Sequence, residues 1–216
     1  MRDLSTPPEG SASASAQIEN ETRSPLIALI GPPNSGKTTL FNRLTGLRQK
    51  VANYPGVTVE KYVGQVQCDL EQTVELVDLP GIHGFSARTL DERVTRDALE
   101  GRLEDLPAPD AVVLIVDCTR LESQLMLVEP VLKLELPTLL VLNMWDELEE
   151  RGGNLDHMEL AHLLGVKVVK TNARVGLGVD QVKDFLSGVE IRHRGLPPPV
   201  RVLNNVPRGV PLPMID

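Results

Sequence analysis

The chain has 216 residues, carries 30 Asp and Glu against 22 Lys and Arg, and has a formal net charge of −8. An acidic surface repels phosphate backbones and disfavours broad nucleic-acid binding, but it leaves room for one nucleotide held by local dipoles and a single lysine. The two cysteines, Cys68 and Cys118, form neither a disulfide framework nor a zinc spacing, which points to a reducing, cytoplasmic setting.

Residues 1–24 are rich in Ser, Ala, Pro and Glu and lack the apolar core of a signal peptide, so a disordered arm is expected there. "PLIALIG" predicts a buried strand, and "GKTTLFNRLTG" follows with Leu40, Phe41 and Leu44 at helical spacing. The junction "GPPNSGKT", Gly31 to Thr38, fits G-x-x-x-x-G-K-[ST]. Gly31 and Gly36 let the loop wrap. Backbone N–H groups from Asn34 and Ser35 through Gly36 to Thr39 then face phosphate oxygens, aided by the positive helix N-terminus. Lys37 reaches the β- and γ-phosphates, and the Thr38 hydroxyl is placed for Mg²⁺.

Next comes "NYPGVTVE", residues 53–60. Gly56, Val57 and Thr58 form its centre, and Thr58 is placed to close on Mg²⁺ and the γ-phosphate as a switch. "KYVGQVQCDL" and "QTVELVDLP" alternate like a hairpin, and "VDLPG" ends it. Asp78 is the candidate Mg²⁺ carboxylate, held through water, and the Gly81 N–H a candidate γ-phosphate donor. "AVVLIVD" predicts a third buried strand, followed by a helix around 121–134 and the strand "PTLLVLN". That strand ends in "LNMWD", where Asn143, Met144 and Asp146 face a base. A carboxylate there accepts N1–H and N2–H₂ of guanine and rejects adenine by being left unpaired. A helix near 156–164, the strand "VKVVKT" and a helix near 179–187 complete the body. "TNARVGLG" lies between the last two, with Asn172, Ala173 and Arg174 at the base and the Ala173 N–H offered to guanine O6.

This alternation predicts an α/β fold: a mostly parallel six-stranded sheet with one antiparallel edge strand and helices on both faces. The folded body is expected over 25–190, with a proline-rich extended tail over 191–216. The longest apolar runs, "AVVLIV" and "TLLVLNMW", are too short to span a membrane. A phosphate loop alone indicates a nucleoside triphosphate; the four elements in this order indicate GTP.

"GPPNSGKTTLFN", "NYPGVTVEK", "DLPGI", "DERVTRD", the block from "LIVDCTRLESQ" to "LNMWDELEERG", and "VVKTNARVGLG" together resemble the cytosolic G domain of the FeoB ferrous-iron transport proteins, from about Leu26 to Leu186. The resemblance implies a Ras-like P-loop G domain that binds GTP or GDP with Mg²⁺ and hydrolyses GTP slowly, with Asn34, Lys37, Thr58 and Gly81 in catalysis. It implies a partner in the membrane transport region of such a protein, at the inner face of the cell membrane. "PN-x-GK" is similar to a potassium-activated set in which the Asn34 carbonyl holds K⁺ against the phosphates. An alternative is that Asn34 braces the loop through its own hydrogen bonds. Nothing after Gly188 has helical periodicity, so neither the family's helical region nor its membrane region is expected within these residues; the chain also departs from the family in Asn172 where Ser is common, and in "GIHG" where Tyr-Ser is more usual.

Cys68 and Cys118 read as ordinary thiols, His83 as a solvated residue, and "WDELEE" as a solvated helix face. Two other functions remain open at this point: a stand-alone Era-like assembly GTPase, against which the acidic charge argues, and a nucleotide-gated binding module with vestigial hydrolysis.

Overall fold

The computed structural model describes residues 23–54, 56–69 and 72–190. Most of the expected arm, residues 1–22, and the whole expected tail from 191 lie outside the described residues. β1 (Leu26–Ile30) is buried along its whole length, as a continuous apolar run must be at the centre of a parallel sheet. It pairs in parallel with β4 (Thr73–Asp78) on one side and β5 (Ala111–Asp117) on the other. β6 (Thr138–Asn143) and β7 (Lys167–Lys170) continue the parallel array. β3 (Glu60–Gln67) runs antiparallel to β4, and β2 (Gln49–Asn53) antiparallel to β3. The order is β2-β3-β4-β1-β5-β6-β7.

The helices follow from the side-chain alternation of the strands. Along β5, Val112, Leu114 and Val116 face one core while Ala111, Val113 and Ile115 face the other. α1 (Lys37–Thr45) and α7 (Val179–Ser187) cover the second face through Leu40, Phe41, Leu44, Val182 and Leu186. α2 (Leu90–Leu99), α3 (Leu121–Gln124), α4 (Val128–Leu132), α5 (Trp145–Glu150) and α6 (His157–Leu164) carry buried residues of the first. Among the described residues no helix is long and apolar enough to cross a membrane.

The α/β class and the mostly parallel sheet are as expected, with three differences in detail. The sheet has seven strands instead of six, because β2 adds a further strand and makes β3 interior. Every residue of β2 is exposed, so "QKVAN" has no buried face and carries no alternation to reveal it. The expected helix at 121–134 is broken into α3 and α4 by a 3₁₀ turn at Leu125–Leu127. Pro130 is the cause: it has no N–H and its ring crowds the carbonyl four residues back, that of Met126. α2 is an additional helix, capped where the Thr89 hydroxyl accepts from the Glu92 N–H at 3.1 Å.

One contact fixes where the body starts. Asp110, 1% exposed, takes a bidentate Arg23 guanidinium at 2.7 and 2.8 Å and accepts the Leu26 N–H at 2.8 Å. The charge-assisted fork ties the entrance of β1 to that of β5.

Candidate functional site

The strand ends on one edge of the sheet supply the whole site. β1 runs into Gly31, where a Cβ would stand 2.2 Å from the Ile115 carbonyl oxygen, so only glycine lets the loop cross β5. Asn34 adopts a left-handed φ of 65° and Gly36 one of 87°. A Cβ on Gly36 would also lie 2.1 Å from the Asn143 amide nitrogen. α1 then opens at Lys37 with no side-chain cap, which leaves its first N–H groups as donors without helical partners. Thr38 and Thr39 are exposed on this first turn. The Asn34 side chain makes no hydrogen bond among the described residues. Ser35 is fully buried and its hydroxyl has no partner among the described residues.

The loop after β4 packs on this one. Gly81 lies against Pro33, at 3.2 Å from a built Cβ, and the Ile82 N–H donates to the Gly31 carbonyl at 3.1 Å. Ile82 is buried in the first core, and His83 beside it is exposed. The Lys37 ammonium pairs directly with Asp78. Burial pushes the Asp78 carboxyl above its ordinary value, and the Lys37 charge offsets part of that rise.

Thr58 is exposed, in a turn closed by Tyr54 N–H to the Val59 carbonyl at 2.9 Å and Val57 N–H to the Tyr54 carbonyl at 3.2 Å. Tyr54 anchors that turn: its ring is 1% exposed and its hydroxyl has no partner among the described residues. Burial first, then the nearby Asp78 and Asp105 charges, drive its phenol upward. Lys61 pairs with Asp105 and stands 5.8 Å from the Tyr54 ring centroid.

Asn143, at the end of β6, is the keystone of the other half. Its amide nitrogen donates to the Ser35 carbonyl at 2.8 Å, and its amide oxygen accepts from the Thr171 hydroxyl at 3.1 Å and the Ala173 N–H at 3.0 Å. The Ala173 N–H, expected at the base, donates here to Asn143. Asn172 folds into a local turn, its side-chain oxygen accepting from Arg174 N–H at 3.1 Å and Val175 N–H at 3.3 Å. Arg43 of α1 donates to the Ala173 carbonyl at 3.2 Å and to that of Arg174. Met144, with a left-handed φ of 61°, turns the chain into α5, which puts the half-buried Asp146 in the first turn.

A cavity of about 60 Å³ results, lined by Gly36, Thr39, Asn143, Met144, Asp146 and Ala173 among others. The structure thus brings the base-side residues and the start of α1 to one place, and sets Asp78, Gly81 and Lys37 beside it. Thr58 alone, with its neighbours Gly56 and Val57, stands on a separate turn. A second cavity of about 240 Å³ adjoins Asn34 and Met144 on the side of Asp117, Thr119, Arg120 and Gln124. Residue order gave no notice of these four, because Asp117 and Thr119 look like any strand end; only their place beside the phosphate loop marks them.

The family model described as Ferrous iron transport protein B matches residues 26–186. The Fe(2+) transporter FeoB of Leptospira biflexa is 41% identical over 165 residues, covering 76% of this chain and 23% of that protein. The Fe(2+) transporter FeoB of Legionella pneumophila (strain Lens) is 38% identical over 162 residues, covering 73% of this chain and 21% of that protein. The chain therefore spans about a fifth of the length of these curated relatives. Among solved structures, an S. thermophilus NFeoB mutant bound to mGDP is similar at 40% identity and a TM-score of 0.70, covering 77% of this chain and 62% of that one. The G domain of the T. maritima FeoB iron transporter is similar at 36% identity and a TM-score of 0.67, covering 76% of this chain and 98% of that one. With the matched residues spanning the sheet and all the loops just described, the chain belongs to the ferrous iron transport protein B family and carries its G domain.

Proposed function

We propose that this domain binds GTP and GDP through the strand-end loops, hydrolyses GTP slowly, and regulates ferrous-iron uptake by the transport region of a FeoB-type protein at the inner membrane face. The observation that carries the reading is Asn143. One buried amide ties the phosphate loop at Ser35 to the base loop at Thr171 and Ala173, so phosphate and base recognition share one rigid frame.

Asp146 is the reader of guanine N1–H and the 2-amino group, and an adenine edge leaves its charge without donors. The Ala173 N–H is shared between Asn143 and guanine O6. Gly31, Asn34, Ser35, Gly36, Lys37, Thr38 and Thr39 bind the phosphates with backbone N–H groups and the lysine charge. Gly81, held against Pro33, offers its N–H to the γ-phosphate.

The residues present fit Mg²⁺. Asp78 is a buried carboxylate paired with Lys37; when the phosphates take the lysine charge, the carboxylate needs another cation. Thr38 adds a hard hydroxyl on the adjoining turn, and Thr58 joins when its turn opens. Held by these residues, Mg²⁺ would supply positive charge to the phosphates. The residues also fit K⁺ at Asn34, whose exposed amide has no other hydrogen bond among the described residues. A weakly hydrated cation supplies positive charge there that an arginine supplies elsewhere. Ile82 cannot orient water, being buried with its N–H on Gly31.

The test is single-turnover GTP hydrolysis at equal ionic strength in K⁺ and in Na⁺. The expected result is faster hydrolysis in K⁺ and loss of most of that difference in Asn34→Ala, which still binds GTP. Equal rates in both salts would remove Asn34 from catalysis, and a rate no greater than buffer would reduce the domain to a binding module.

A further inference from the structure

Trp145, the one tryptophan of the chain, stands between Met144 and Asp146. It does not line the base cavity. It is the one buried residue of α5, a helix of six residues with no side-chain cap. So short a helix does not hold its own orientation by local hydrogen bonds alone. The direction in which Asp146 points is therefore set by what Trp145 packs against.

Four contacts hold Trp145, from three separate parts of the chain. The Lys170 ammonium lies over the ring, 4.7 Å from its centroid. The His157 ring meets it edge-on, with centroids 6.0 Å apart at 69°. The indole N–H donates to the Glu149 carboxylate at 2.6 Å, and the backbone N–H donates to the Thr171 carbonyl at 3.2 Å. Thr171 also donates its hydroxyl to Asn143, so this last bond joins the helix that carries Asp146 directly to the Thr171–Ala173 loop. Lys170 is the last residue of β7, immediately before the same loop. The cation over the ring and the bond to Thr171 both lock the carboxylate side of the site to the loop side.

We propose that Trp145 is a positioning residue for Asp146, setting how far the domain prefers guanine to hypoxanthine. The proposal rests on Asp146 reading guanine. A carboxylate aimed squarely accepts from both N1–H and the 2-amino group; one released from its anchor keeps the nearer bond and loses the other. Hypoxanthine has N1–H but no 2-amino group, so loss of aim costs GDP more than IDP. A residue that merely stabilises the fold weakens both by the same factor.

The experiment measures Kd for GDP and IDP in the wild type, Trp145→Phe, Trp145→Ala, Asp146→Ala and the double variant Trp145→Ala/Asp146→Ala. One charge-assisted hydrogen bond is worth about tenfold or more, which is the expected wild-type preference for GDP. Trp145→Ala should bring that ratio to within about threefold of unity, while Trp145→Phe, which keeps a ring under Lys170, retains most of it. In the Asp146→Ala background, Trp145→Ala should change the ratio no further. Should circular dichroism show Trp145→Ala unfolded, Lys170→Met and Glu149→Ala release the ring's face and edge with the core still filled, and each should lower the ratio. An unchanged ratio in the folded variants overturns the positioning role. A wild-type ratio that survives Asp146→Ala overturns the reading of Asp146 itself, which is a different outcome from the first.

Discussion

Lys37 is the residue proposed to carry the point charge on the phosphates. It pairs with Asp78 here, and both groups are nearly buried. Lys37→Ala should abolish tight binding of GTP and GDP alike, measured by isothermal titration, because the phosphates lose their point charge and Asp78 loses its counter-ion. Thr58→Ala should leave GDP affinity nearly intact and lower hydrolysis, since its turn is closed on Tyr54 and only the γ-phosphate state recruits it. Equal losses for both nucleotides would make Thr58 structural. Cys118 is 4% exposed, and burial, then Asp117, push its thiol up to about 12. At pH 8 it should resist iodoacetamide in the folded chain and react on unfolding. The sign of the linkage is fixed: an unfolded thiol ionises near 8.5, so this group favours unfolding as pH rises from about 8.5 towards 12. Cys118→Ala should flatten that alkaline loss of stability.

The elements bear on how far the site could be read in the sequence. The phosphate loop was legible because its glycines have no substitute: at Gly31 a side chain meets the Ile115 carbonyl, and at Gly36 the Asn143 amide. The buried strands were legible because their apolar runs are continuous. β2 was not, since an all-exposed edge strand is specified by pairing with β3 and not by its own pattern. The break in the helix after β5 was visible in principle at Pro130. The Asn143 bridge was not legible at all, because its partners at Ser35 and Ala173 are 108 and 30 residues away. α2 follows the loop after β4 and starts at the Thr89 cap. Thr89→Ala should cost about 1 kcal/mol in denaturant unfolding; no change in the midpoint would show that the Glu92 side chain, bonded to Ser86 and Arg88, holds the turn alone.

At the largest scale, the described residues form two cores on either side of one sheet, with the candidate site at one edge. Ile82 illustrates the division. It sits in the loop after β4, yet its side chain belongs to the first core. Ile82→Ala should therefore destabilise the domain by about 2–5 kcal/mol while leaving the rate per folded molecule unchanged. Base recognition at Asp146 is central to the proposed function. The most direct measurement is an affinity series with GDP, ADP and XDP on the wild type and on Asp146→Asn. The wild type should bind GDP tightly and ADP and XDP poorly. Asp146→Asn should lose affinity for GDP by about tenfold or more and gain it for XDP, whose 2-oxo group accepts from the new amide. Unchanged GDP affinity in Asp146→Asn, with no gain for XDP, would contradict the assignment of this edge as a guanine site.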